Sequence, residues 1–208
     1  MAVRRHWHER IPYSGGVTGL VTGARMDPEL AWNETSRAHD HDVELVLAFL
    51  NTVDVQQDTD VLADAGRWRD WAAGLGLVAP PDDRPPGQIG SIEQASAARD
   101  ALRSAVVDAR DPGGTRFGAG PAGVIRVELS GGVPTLVAGD PLGAVLAAAA
   151  RLAVLGDWDR VKICPADDCR WAFFDHSRNR SRTWCSMRVC GNRTKARNWR
   201  ERARLRPT

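Results

Sequence analysis

The first 163 residues contain no cysteine, and the chain nowhere carries the long apolar run that a membrane helix requires. Its longest candidate, Leu142 to Leu155, is interrupted by Arg151 and falls short of the roughly 18 to 20 apolar residues that span a bilayer. No helical membrane anchor is expected. Arg4 and Arg5 are followed by His6, Trp7, His8, Glu9 and Arg10 rather than by the apolar core of a secretory leader, so a cytoplasmic location is expected. Gly-rich phosphate loops, nucleophile elbows and paired-histidine metalloprotease patterns are missing, and an enzyme reading has no positive support. No internal repeat is seen.

Acid is scarce at one end. Residues 160–208 hold 14 of the chain's 28 Lys and Arg residues but 4 of its 26 Asp and Glu. That stretch is therefore +10 and the remainder −8, which sums to the modest net charge of +2. Such asymmetry favours two units over one, and the basic unit has the electrostatic footprint of a surface that meets a polyanion. Arg outnumbers Lys there 12 to 2, a bias that suits bidentate contacts to phosphate or guanine and that GC-rich coding also produces.

All four cysteines lie in this basic stretch, at Cys164, Cys169, Cys185 and Cys190. Each pair encloses four residues, and fifteen separate the pairs. Two thiolates from each of two turns suit one tetrahedral ion, most commonly Zn2+, and four protein ligands leave no open position for catalysis. Neither pair has the two-residue spacing of redox thiols, although a redox-switchable metal site and a disulfide remain as alternatives. His176 could replace a thiolate, but four cysteines suffice. A module of this size has too little apolar area to fold by burial alone, so the ion should contribute on the order of 10 kcal/mol and its removal should disorder the tail.

The reading is mainly α with a small β-hairpin: a helical amino-terminal domain at 41–156 and a small four-cysteine zinc-finger domain at 160–206, preceded by a poorly ordered extension at 1–40. From Asp42, apolar residues Val43, Val46, Leu47 and Leu50 recur at helical steps. A second helix is expected from Asp60 to Leu77, burying Leu62, Ala65, Trp68, Trp71 or Ala72, and Leu75. Pro80, Pro81, Pro85 and Pro86 impose a loop. Ser91, with Glu93 and Gln94, caps a third helix to Ala109. Gly131-Gly132 sits between two apolar runs as a hairpin turn, and Asp140-Pro141 opens an Ala- and Leu-rich helix closed by Gly156.

In the tail, Ile163-Cys164-Pro165 enters the first turn, Phe173 and Phe174 leave it, and a helix runs from Asn192 to about Arg204. Arg193, Arg197, Arg200 and Arg204 fall on one stripe of that helix, with Lys195, Arg202 and Arg206 nearly opposite. Asn192, Ala196, Trp199 and Ala203 lie between, as a seam expected to pack on the finger. Trp171, Trp184 and Trp199 read as residues of a miniature core. Arg178, Arg180, Arg182 and Arg188 add candidate phosphate contacts. Asn192 and Arg193 equally suit shaping of the turn. In the first domain, Asn51 and Asp54 could line a small-molecule effector pocket, with capping or an internal hydrogen bond as the alternative. His39 and His41, with Asp40 and Asp42, resemble metal ligands only superficially.

The run Cys164 to Arg202 resembles the CGNR-type zinc finger, whose tetrad stands at Cys190, Gly191, Asn192 and Arg193, with Phe173-Phe174-Asp175, Ser177-Arg178, Trp184-Cys185-Ser186-Met187, Lys195 and Arg197 as further shared features. Phe49 to Asp54 and Trp71 to Leu77 resemble the ABATE-type stress-induced transcription regulator domain that usually precedes this finger. The resemblance implies a DNA-binding transcription regulator, responsive to stress or a ligand, that holds one structural zinc and contacts double-stranded DNA, with a homodimer as the default assembly. Docking of the finger to an acidic protein and oxidation sensing by the thiolates are the alternatives.

Overall fold

A 23-residue helix, α1 (Pro28–Leu50), is the element on which the others pack. The computed structural model describes residues 28–77, 91–108, 125–130 and 132–204. Helix α1 starts well before the expected boundary at residue 41. Residues 1–27, with His6 and His8, the Pro80–Pro86 stretch, the Gly- and Pro-rich segment 112–123, and Arg206 lie outside the described residues.

From Asp42 to Leu50, α1 buries Val43, Leu45, Val46, Leu47, Phe49 and Leu50, more than the one stripe that the three- and four-residue steps implied. The reason is that neighbours flank it on several sides. Helix α3 (Ile92–Asp108) and strand β6 (Ala172–Phe174) contact it, as does α4 (Pro141–Val154), its principal neighbour. Asp42 on α1 accepts two hydrogen bonds from the Arg151 guanidinium of α4, at 2.7 and 2.5 Å.

After α1 the expected second helix is divided. Val53–Asp54 (β1) pairs antiparallel with Thr59–Asp60 (β2), a short 3-10 turn covers Val61–Ala63, and α2 runs Ala65–Gly74. Two aspartates cause the division. The Asp60 carboxylate accepts the Leu62 N–H at 2.8 Å and the Asp64 carboxylate the Arg67 N–H at 3.0 Å, so each ends one turn and starts the next. Leu62, Trp68 and Ala72 are buried as expected, Ala65 is exposed instead, and Trp68 stacks on Trp71 with centroids 4.8 Å apart.

Helix α3 is capped by Ser91, whose hydroxyl accepts the Gln94 N–H at 3.1 Å. Strands β3 (Ile125–Ser130) and β4 (Val133–Ala138) form the expected hairpin, closed at Ser130↔Val133. Asp140 caps α4 by accepting the Gly143 N–H, with Pro141 in its first turn. Gly156, at φ +74°, ends that helix: its N–H reaches the Ala153 carbonyl and the Asp157 N–H reaches Leu152, the paired bonds of a Schellman turn.

The finger begins inside this core. Strand β5 (Val161–Ile163) pairs antiparallel with β6, and side-chain alternation splits the hairpin between two environments. Val161, Ile163, Ala172 and Phe174 join the cluster built by α1, α3 and α4, while Phe173 turns to a second cluster with Cys164, Ala166, Cys169 and Cys190. Asn192–Arg204 forms the last helix, α5.

Candidate metal centre

Two turns bring the four thiols together. The first, Cys164 to Cys169, hangs from the β5–β6 hairpin, where the Cys164 N–H reaches the Trp171 carbonyl and the Cys169 N–H reaches Ala166. The second leads through a single π-helical turn, Met187–Gly191, in which Ser186 caps the Val189 N–H and the Cys190 N–H returns to the Ser186 carbonyl. All four sulfurs lie within 4.8 Å of one another. Cys169 Sγ is 3.5 Å from Cys185 Sγ, and Cys185 Sγ is 3.6 Å from Cys190 Sγ.

These separations rule out disulfides in this state and match a metal. A tetrahedron with Zn–S bonds of about 2.3 Å has edges of about 3.8 Å. The donor set fits as well. In the absence of a cation the thiols obstruct one another's ionisation: the Cys164 and Cys169 sulfurs, and then burial, push Cys185 far up, while burial and then Cys169 push Cys190 up to about 11. Only Cys164 is drawn strongly down, by thiol hydrogen bonds from Cys169 and Cys185 and by backbone N–H groups of Cys185 and Ala166. A divalent cation resolves this conflict by taking all four as thiolates. One zinc ion held by Cys164, Cys169, Cys185 and Cys190 would be closed to solvent ligands and therefore structural. Among the described residues no other His, Cys, Asp or Glu group assembles in this way, and His176 is not part of it.

The CGNR tetrad is used in building the second turn. Cys190 is a ligand, and a Cβ at Gly191 would collide with Met187 Sδ and stand 3.3 Å from Trp184 Cδ1. Asn192 Nδ2 donates to the Arg188 carbonyl at 3.4 Å. Arg193 Nη2 donates to Asp168 at 2.9 Å and lies 3.7 Å from Cys190 Sγ. Its Nε is buried without a protein partner among the described residues, so a guanidinium lies against the cluster, where a four-thiolate zinc carries a formal −2.

Other candidate cations are partly committed. Arg182 donates to the carbonyls of Trp184 and Cys185 and covers the Phe173 ring at 4.8 Å. Arg180 pairs with Asp159 at 3.5 Å and Arg197 with Asp168 at 3.7 Å. Lys162 donates to Asp175 and to the carbonyls of Arg180 and Arg182. Arg178, Arg188, Lys195, Arg200 and Arg204 are exposed and have no carboxylate partner among the described residues, and the same holds for Arg202.

Trp171 and Trp184 pack on the metal cluster as expected, but Trp199 is 67% exposed and Ala196 and Ala203 are exposed too. The expected seam therefore does not pack on the finger. Helix α5 buries none of its residues, because Arg193 and Arg197, not the apolar row, turn towards Asp168.

Asn51 holds the finger to the helical domain. Its Nδ2 donates to the Ala172 carbonyl at 2.9 Å and its Oδ1 accepts the Ala172 N–H at 2.7 Å, so the side chain pairs with β6 as a strand would. Asp54 accepts the N–H groups of Gln56 and Gln57 in its own turn. Two arginines of α3 were not singled out from the sequence: Arg103 completes the junction, and Arg99 braces the helical domain beside it. Arg99, 5% exposed, donates to Asp60 at 2.5 Å, and Arg103 bridges the Leu50 and Arg170 carbonyls at 2.6 and 2.7 Å. Their signal was present: Ala95, Arg99 and Arg103 recur at four-residue steps along the buried stripe.

A helical domain joined to a closed four-thiolate centre defines a zinc-finger protein. The chain belongs to the ABATE family, described as "Putative stress-induced transcription regulator", whose model matches residues 43–172, and residues 160–203 match the CGNR zinc finger. The two matches overlap at residues 160–172, from β5 through the first knuckle to the start of β6, a segment that contributes to both clusters. Neither description names an enzymatic activity. No curated protein matches the chain. Among the described residues, no helix is long and apolar enough to cross a membrane.

Proposed function

We propose that this protein is a cytoplasmic transcription regulator that binds double-stranded DNA through its zinc-stabilised basic end, with the helical domain receiving the regulatory input. The observation that carries this reading is α5 itself. Its 13 residues include six arginines and lysines and one acid, and none is buried. A helix that contributes no buried residue to the fold, and whose cations mostly lack carboxylate partners among the described residues, has the composition of a phosphate-binding element.

The test is binding of the zinc-loaded full chain to a random-sequence duplex, followed by fluorescence anisotropy across a salt series. The four unpaired cations of α5, Lys195, Arg200, Arg202 and Arg204, together with Arg178 and Arg188, predict a loss of about a thousandfold between about 50 and about 200 mM salt when all six meet phosphate. Affinity that does not change over that range, or no binding at all, would overturn the reading. Capture of an acidic protein after nuclease treatment, with no duplex binding, would replace it with protein docking.

A further inference from the structure

We infer that the face of α5 that enters DNA is the one carrying Lys195, Asn198, Trp199 and Arg202, and that the Arg193–Arg197 edge is turned to the finger. This rests on the DNA-binding reading and deepens it.

The orientation follows from Asp168. Arg193 Nη2 is 2.9 Å and Arg197 Nη2 3.7 Å from its two carboxylate oxygens, which fixes which side of the helix meets the first knuckle. At about 100° per residue, Lys195 and Arg202 lie about 160° to 180° around the axis from the centre of that side, with Trp199 and Asn198 flanking them. Lys195, Asn198, Trp199 and Arg202 are all exposed, whereas Arg193 on the opposite edge is half-buried.

The chemistry of this face is specific. Trp199, 67% exposed, has Lys195 four residues before it and Arg202 three after, so a large aromatic ring lies between two cations on one surface. Neither cation has a carboxylate partner among the described residues, and Glu201, the helix's one acid, falls about 100° to 120° around the axis from them. An amide, a guanidinium, an ammonium and an indole form the set that contacts base edges, phosphates and thymine methyls when a helix lies in a major groove. Thirteen residues give a helix of about 20 Å, long enough to follow that groove. Of the stripe Arg193, Arg197, Arg200 and Arg204 read from the sequence, the first two pair with Asp168, and Arg193 lies against the metal cluster.

The test compares the zinc-loaded full chain with K195A/R202A and with W199A on duplex DNA, each variant first shown to hold one zinc per chain. All three side chains are exposed, so folding should be unaffected. The double variant should bind at least tenfold more weakly and lower the slope of log K against log salt by about 2, from two lost phosphate contacts. W199A should bind several-fold more weakly with an unchanged slope. Duplex binding by the wild type that both variants retain in full would overturn this assignment and leave the parent reading standing. No duplex binding by the wild type would remove both. A W199A defect seen only with a single-stranded oligonucleotide would also overturn the groove assignment, since it would make the ring a stacking platform for unpaired bases.

Discussion

Lys162 and Asp175 form the most buried ion pair described, with side chains 11% and 0% exposed and 2.5 Å between Nζ and Oδ2. Burial works against the charged carboxylate, yet hydrogen bonds from Lys162, the Ser177 hydroxyl and the Ser177 and Arg182 N–H groups hold Asp175 well below the usual carboxylate range. Because Lys162 also binds the carbonyls of Arg180 and Arg182, this pair organises the loop leading to Cys185. Asp175→Asn leaves a buried ammonium without its counter-charge and should cost on the order of 3 kcal/mol in urea unfolding at pH 7. The folded value is depressed, so the unfolded chain takes up the proton first. The stabilisation is therefore complete above about pH 5 and is lost as pH falls through the folded value. The gap between wild type and variant should stay constant from about pH 8 to about pH 5; narrowing within that range would contradict it.

Between elements, the Asp42–Arg151 link joins α1 to α4 and has unequal ends. Asp42 is 5% exposed at its side chain, whereas Arg151 is 37% exposed and its ionisation is favoured first by the Asp42 hydrogen bond. Removing the half-exposed partner strands the buried one. Arg151→Ala should therefore destabilise by on the order of 3 kcal/mol, and Asp42→Asn by clearly less, because Arg151 can turn to water. Equal losses in thermal unfolding would refute that asymmetry. Much at this scale was legible in the sequence: the apolar steps of α1, the Ser91 and Asp140 caps, the β3–β4 hairpin and the four ligand positions are all local patterns. What was not legible depends on partners far along the chain. Asn51 meets Ala172 across 121 positions, and Arg103 meets Arg170 across 67. A polar residue on an apolar stripe reads as a pocket lining or a solvated edge until its distant acceptor is known. Trp199 failed for a different reason, since helical periodicity places it on a row but cannot say which row faces the finger.

At the scale of the molecule, the finger and the helical domain share a wall. Two of the four ligands are borne by a hairpin whose opposite side chains, Val161, Ile163, Ala172 and Phe174, fill the main core, and Asn51 and Arg103 fasten that hairpin to α1 and α3. The tail is therefore not a separate bead, and loss of metal should reach beyond it. Chelating zinc from the full chain should lower the thermal midpoint of the helices themselves and reduce hydrogen-exchange protection around Leu50–Thr52 and Arg99–Arg103, not only within 164–204. A helical transition unmoved by chelation, with exchange changes confined to the tail, would show that the shared wall transmits nothing.

The half-buried Asn51 amide, bound edge-on to the strand beside the first knuckle, would by that coupling tie the protein's persistence to the availability of zinc. Metal scarcity would then loosen the helices and the basic end together, and proteolysis would clear the whole polypeptide instead of leaving one half in circulation.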